Sequence, residues 1–160
     1  MINRHSIITR LSPADTETIG ISSLGSHTTE IRFIQSEKWI DHGVGQMIRN
    51  LTDRGLYPSE TAIDLCILAA TVMAADTRIS RQEDSQDSWT REIDLFVPVA
   101  NPQLWVTNTP LLERILRFLT GDIWQLFFRD REEGLSSLIE PEEELVPNTF
   151  DSVCLFSGGL

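Results

Sequence analysis

Lysine is almost missing from this sequence. Lys38 is the only one; the other basic residues among the 13 are arginines, set against 24 acidic residues, for a formal charge of −11. Nucleic-acid binding draws most of its affinity from cationic groups near phosphates, so a net-acidic chain without a basic run is a poor candidate for it. An anionic membrane surface is disfavoured for the same reason. Cysteine is scarce too. Cys66 and Cys154 both sit within apolar runs and read as small buried hydrophobes, not as a disulfide framework, which suits a reducing, cytoplasmic setting. No apolar run is long enough to span a bilayer. The longest, 62–75, is interrupted by Asp64 and Thr71. The N-terminus lacks the apolar core of a signal peptide.

What remains is ordinary globular material. Hydrophobic residues make up 41% and charged residues 23% of the 160, which excludes a disordered acidic tail, a chain built as one coiled coil and a collagen-like fibre. That length is room for one domain of ordinary size. The acid is uneven: Glu132, Glu133, Glu140, Glu142, Glu143 and Glu144 crowd one short stretch. Such a run is a solvated linker first, and a docking strip for a basic partner second.

Ser6–Leu11 and Glu30–Ile34 read as short strands, separated by a Ser/Thr/Gly-rich loop from Ser12 to Thr29. Val44, Met47, Ile48 and Leu51 fall at i, i+3, i+4 and i+7, one apolar face of a helix that Gly55 would close. Ser59 is the N-cap of the next helix, which is apolar nearly all round; Glu60, Thr61, Asp64 and Thr71 give it a narrow polar stripe. Asp76 to Ser88 reads as a surface loop. Trp89, Ile93, Leu95 and Val97 alternate with polar residues as a half-buried strand that Pro98 ends. Thr109 and Pro110 open a helix whose buried face is Leu112, Ile115, Leu116 and Leu119, with Glu113 and Arg117 paired outside and Gly121 as the stop. Asp122 to Arg129 is a further strand. The mixture is not a clean strand–helix alternation and predicts an α+β fold with a mixed sheet and about three helices.

Little in the chain suggests chemistry. His5, His27 and His42 are scattered without ligand spacing, so no metal site is expected. No Gly-x-Ser-x-Gly elbow, Walker loop or dinucleotide fingerprint appears. Arg78, Arg81 and Arg91 flank the stretch after Asp76; ion pairing with Asp76, Asp84 or Asp87 is the plainer reading, an anion- or partner-binding patch the sharper one. Trp89, Trp105 and Trp124 read as core pieces, although tryptophan also suits interfaces. At the C-terminal end, Val153-Cys154-Leu155-Phe156 reads as a buried strand leading into Ser157-Gly158-Gly159, where glycines would let backbone N–H groups approach a phosphate.

Val153 to Leu160 resembles the opening of the Ser-Gly-Gly-x-Asp-Ser loop of the N-type ATP pyrophosphatases, in particular the 7-cyano-7-deazaguanine synthase (QueC-like) branch. Trp89-Thr90-Arg91, Val97-Pro98-Val99, Trp105, Leu119-Thr120-Gly121-Asp122-Ile123-Trp124 and Ala74-Ala75-Asp76-x-Arg78-x-x-Arg81 resemble an N-terminal domain of QueC-like proteins in bacterial Qat-type antiphage defence. The resemblance covers roughly residues 60–160 and the first 60 only loosely. It implies a parent ligase that uses ATP, processes a deazaguanine, holds zinc in a C-terminal part absent from this sequence, and works with protein partners of the same defence system. Ser157, Gly158 and Gly159 carry over as would-be ATP-phosphate ligands. The sequence stops before the motif's Asp and second Ser, so half a loop is present and no catalytic residue is carried over. The implied layout is an N-terminal α+β accessory domain at 1–131, an acidic linker at 132–150, and at 151–160 the first strand and partial phosphate loop of a truncated α/β nucleotide-binding domain. The expected role is recognition and assembly, catalytically incomplete by itself. The alternative is a stand-alone acidic protein-interaction adaptor.

Overall fold

The computed structural model describes residues 4–20, 27–36, 39–40, 44–85, 89–132, 135 and 138. The last strand and Gly-Gly turn read from the sequence, with Ser157, Gly158 and Gly159, lie outside them, as does His42. The described residues form an α+β fold. Strands β1 (Arg4–Arg10), β2 (His27–Arg32), β5 (Glu92–Val99) and β6 (Ile123–Asp130) make one sheet in the order β2-β1-β5-β6, parallel throughout. Strands β3 (Ile34–Ser36) and β4 (Trp39–Ile40) pair antiparallel beside it. The helices are α1 (Val44–Thr52), α2 (Glu60–Arg78), the single turn α3 (Arg81–Asp84) and α4 (Pro102–Thr120).

Helices α2 and α4 cover the same face of the sheet. Thr9 of β1 meets Thr71 of α2 at 3.1 Å, and the Trp105 ring of α4 lies 5.4 Å from that of Phe128 on β6. Register carries that face across the sheet: Ile7 opposite Leu95, Leu95 opposite Leu126, Ile93 opposite Trp124. Together with Ile63 and Ile67 of α2 these residues are the core. Burial of this kind contributes roughly 25 cal/mol per Å² of apolar surface, the main favourable term for a domain this size. The opposite face carries Arg4, Ser6, Ile8 and Arg10 of β1 beside Asp94 and Phe96 of β5. There Phe96 stacks on Phe127 at 4.7 Å.

Local signals hold where they involve backbone geometry. Ser59 caps α2, its hydroxyl accepting from the Ala62 N–H. Gly55 (φ 70°) sits in a left-handed turn after α1, with the Leu56 N–H reaching back to the Leu51 carbonyl, and Gly121 (φ 77°) ends α4. Four expectations change. Helix α2 runs on through Asp76 to Arg78 and α3 follows, so the stretch after Asp76 is largely helical. Strand β5 continues through Pro98 to Val99. The β1 ladder stops at the Ile8–Phe96 pair, and Pro98 belongs to the set of β5 residues that face β1, so its missing N–H falls where no partner strand needs it. Helix α4 starts eight residues early: Asn101 accepts from the Leu104 N–H, Pro102 takes the first turn, and Pro110 lies inside the helix. Thr107, Asn108 and Thr109 each donate to the carbonyl four residues back in the turn before that proline. Lastly, Asp64 and Thr71 of the supposed polar stripe point inward and are fully buried, while Leu65 and Met73 are 51% and 62% exposed.

Candidate interaction surface

Charged side chains inside the domain are used as staples. Arg91, 1% exposed, donates to both Asp122 and Asp76 and to the carbonyls of Asp76 and Ile79. Arg81 makes a second, bidentate pair with Asp122 at 2.7 and 3.0 Å and lies over the Trp89 ring. Asp122 also accepts from the Arg91 N–H. Arg81 and Arg91 therefore form ion pairs, with Asp122 as their main partner, and tie the end of α2 to the starts of β5 and β6. Arg78 stands exposed in the last turn of α2, where its charge complements the helix dipole. Burial pushes the Asp122 carboxyl up, but hydrogen bonds from Arg91 and Arg81 outweigh it and hold it below the usual carboxylate range.

The Thr120-Gly121-Asp122 stretch is thus structural: Thr120 accepts from the Trp124 indole at 2.8 Å, Gly121 turns the chain, and Asp122 receives the arginines. A similar staple joins α2 to the chain after β6, where Asp64 binds Arg131, the Trp105 indole and the Ala100 N–H. A third lies on the opposite face, where Arg10 and Arg129 share Asp15.

The opposite face also buries one unfavourable charge. Asp94 is 7% exposed, 3.3 Å from Arg4, and its Oδ1 has no hydrogen-bond partner among the described residues. Burial, only partly offset by Arg4, pushes its carboxyl above the ordinary range. A raised carboxyl pKa in the fold costs stability at every pH where the group must ionise. The cost is absent below the unfolded value of about 3.9, grows as pH rises through the folded value, and is full at neutral pH. Asp94→Asn is therefore expected to raise the melting temperature by a few degrees at pH 7. The gain should vanish near pH 3, as read by thermal melts across the range.

Other candidates dissolve on inspection. His5 bonds Thr29 at 2.9 Å and stacks near His27. Cys66 lies 4.0 Å from the Met47 sulfur, and burial pushes its thiol up, away from reactivity. Among the described residues no group of three or more His, Cys, Asp or Glu side chains could hold a metal, and no helix is long and apolar enough to cross a membrane.

The prominent feature is α4. Trp105, Leu112 and Leu116, at i, i+7 and i+11, set its buried face. Ile115 and Leu119, expected there, point out instead, 44% and 70% exposed. They join Leu104 (43%), Leu111 (46%) and Phe118 (88%) in one outward stripe along the helix. Glu113 does not pair with Arg117 across solvent; it accepts from the Leu126 N–H and so caps the outer edge of β6, beside a shallow groove of about 410 Å³ bordered by Arg114 and Arg117. Trp89, read as core, is 69% exposed at the C-terminal end of α4. Large apolar side chains gathered on one outer helix face make this the main exposed hydrophobic patch among the described residues, the kind of feature that contact surfaces present. Only Ile115 and Leu119 of these five are singled out by the sequence pattern, and it assigns both to the core face of a helix starting at Pro110 and not at Pro102.

Compared with protein-family models, with curated proteins and with solved structures, the chain shows no match. Fold and surface together define a class: a two-layer α+β domain whose exposed feature is a hydrophobic helix face.

Proposed function

We propose that this chain is a protein-recognition and assembly domain whose contact surface is the outer face of α4. We further propose that it is the N-terminal part of a QueC-like, ATP-dependent deazaguanine-processing enzyme of antiphage defence. The observation that carries the first statement is the stripe of Leu104, Leu111, Ile115, Phe118 and Leu119, each at least 43% exposed. The second rests on the sequence resemblance, to which Arg91, Asp122, Trp105 and Trp124 contribute as residues that build the fold. ATP enters only through Ser157, Gly158 and Gly159 and the segment expected beyond them, and zinc only through the family's C-terminal part.

The test uses the protein extended past Leu160, mixed with proteins encoded beside it and read by calorimetry, then by intact mass after ATP is added. Binding is expected, and Phe118→Glu should weaken it at least about tenfold, since a buried aromatic anchor is typically worth 2 kcal/mol or more. An unchanged affinity in a variant that melts like the wild type removes the α4 reading. A mass change on the partner that requires ATP supports the enzyme context. Tight binding with no ATP-dependent change favours the stand-alone adaptor.

A further inference from the structure

We propose that the α4 stripe receives the same stripe of a second copy of this chain, the two α4 helices lying parallel across a twofold axis. The proposal rests on reading α4 as a contact surface and names what it contacts. Its first ground is spacing. Leu104, Asn108, Leu111, Ile115 and Phe118 follow one another by four, three, four and three residues, the step of a heptad seam. In that frame Leu104, Leu111 and Phe118 occupy d positions, and Asn108 and Ile115 occupy a positions. Leucine at d with a β-branched residue at a favours two parallel strands, and a single asparagine at a fixes register.

Asn108 is placed for that role. It is exposed, and one of its two amide N–H groups goes to the Leu104 carbonyl at 2.8 Å. The amide of the second copy can meet the remaining donor and the side-chain oxygen. Pro110, which costs the helix a hydrogen bond, lies about a third of a turn away from the seam and does not obstruct it.

Area is the second ground. The five apolar stripe residues expose between 43% and 88% of their surface. At roughly 200 Å² per large apolar side chain they offer about 600 Å² a side. Trp89, 69% exposed at the end of α4, brings the patch near the roughly 800 Å² a side typical of a specific interface.

Charge is the third. The chain as a whole is strongly acidic, yet α4 holds only Glu113 against Arg114 and Arg117, and Glu113 is turned to β6. Two α4 helices can therefore meet without placing acid against acid. The isologous arrangement also closes on itself, so it ends at two copies.

The test is sedimentation equilibrium of the 160-residue chain from about 1 to 100 μM, the range where an interface of this modest area gives measurable association. A monomer–dimer equilibrium is expected. Leu111→Glu should leave only monomer that melts like the wild type does at high dilution, where the wild type is monomeric too, and Asn108→Leu should tighten association and admit larger species. Leu111→Cys should cross-link to itself under mild oxidation far faster than the wild-type cysteines do. A chain that is monomeric at 100 μM, or a dimer indifferent to Leu111→Glu, overturns the proposal. If the chain is monomeric and Phe118→Glu still abolishes partner binding, the second copy is excluded while the recognition surface stands. If it dimerises and partner binding ignores Phe118→Glu, the reverse holds.

Discussion

Asp122→Ala is expected to cost about 3–5 kcal/mol, the usual range for removing one member of a buried ion pair. That is a large share of the 5–15 kcal/mol that holds an ordinary domain together. Asp122 has no exposed surface, and it is the common acceptor for the Arg91 guanidinium, the Arg91 N–H and the Arg81 guanidinium. Without it, Arg91 keeps only Asp76 and two carbonyls, and a buried cation loses its one fully buried counter-charge. The loss should appear as a lower urea midpoint with an unchanged slope.

A double-mutant cycle separates the pair from the packing. Arg91→Met alone should be costly because Asp122 is then buried beside Arg81 alone. The combination Arg91→Met with Asp122→Ala should be less damaging than the sum of the two. Full additivity would show that the clasp does not act as a unit. The pH dependence has a definite sign. Asp122 has a folded pKa below its unfolded value. Its contribution is therefore fully present above about pH 4 and is lost as pH falls through the lower folded value. The wild type should weaken in that acid window, and the alanine variant should lack that part of the decline. Asp94 works in the opposite direction, so Asp94→Asn and Asp122→Ala should shift the pH–stability curve in opposite senses.

How far the sequence could be read follows from the kind of signal involved. Backbone punctuation was legible: Ser59 as a cap, Gly55 and Gly121 as left-handed turns, and the Val44–Leu51 stripe of α1 are local and owe nothing to distant partners. The start of α4 was not, because Asn101-Pro102 and Thr109-Pro110 carry the same cap-then-proline signature. What selects the first is Trp105, which packs against Phe128 and donates to Asp64 only once β6 and α2 are in place. That anchor also turns the inward face toward Trp105, Leu112 and Leu116 and leaves Ile115 and Leu119 outside it. The exposed stripe was thus hidden: Ile115 and Leu119 were assigned to a core face, and Leu104, Leu111 and Phe118 drew no attention at all. The ion pairs were half legible: Asp76 was foreseen as a partner of the arginines, whereas Asp122, 31 residues from Arg91, was not. Nothing in a charge pattern reports a contact made at that separation.

Asp64→Leu is where a reading by pattern and a reading by structure differ most. On a helix apolar nearly all round, an aspartate in a polar stripe looks solvent-facing, and exchanging it for leucine should then matter by no more than about 0.5 kcal/mol. In the fold Asp64 is 1% exposed. It accepts from the Ala100 N–H at 2.9 Å, from the Trp105 indole at 3.2 Å and from Arg131 at 2.5 Å, whose side chain is equally buried. Leucine would strand three donors at once, one of them charged. The expected cost is again about 3–5 kcal/mol. Because Arg131 also holds Glu60 at the start of α2, the loss should fall on the junction of α2, α4 and the chain after β6. Hydrogen exchange should show it there first, with amides around Ala100 and Trp105 losing protection before those of β1. Adding Arg131→Met to Asp64→Leu should recover part of the stability, since it removes the cation that has lost its buried counter-charge. A neutral single variant would mean that Asp64 lies at the surface and that α2 is rotated from the orientation described. The α4 stripe would then lose its footing as well, because the Asp64–Trp105 hydrogen bond sets which face of α4 turns inward.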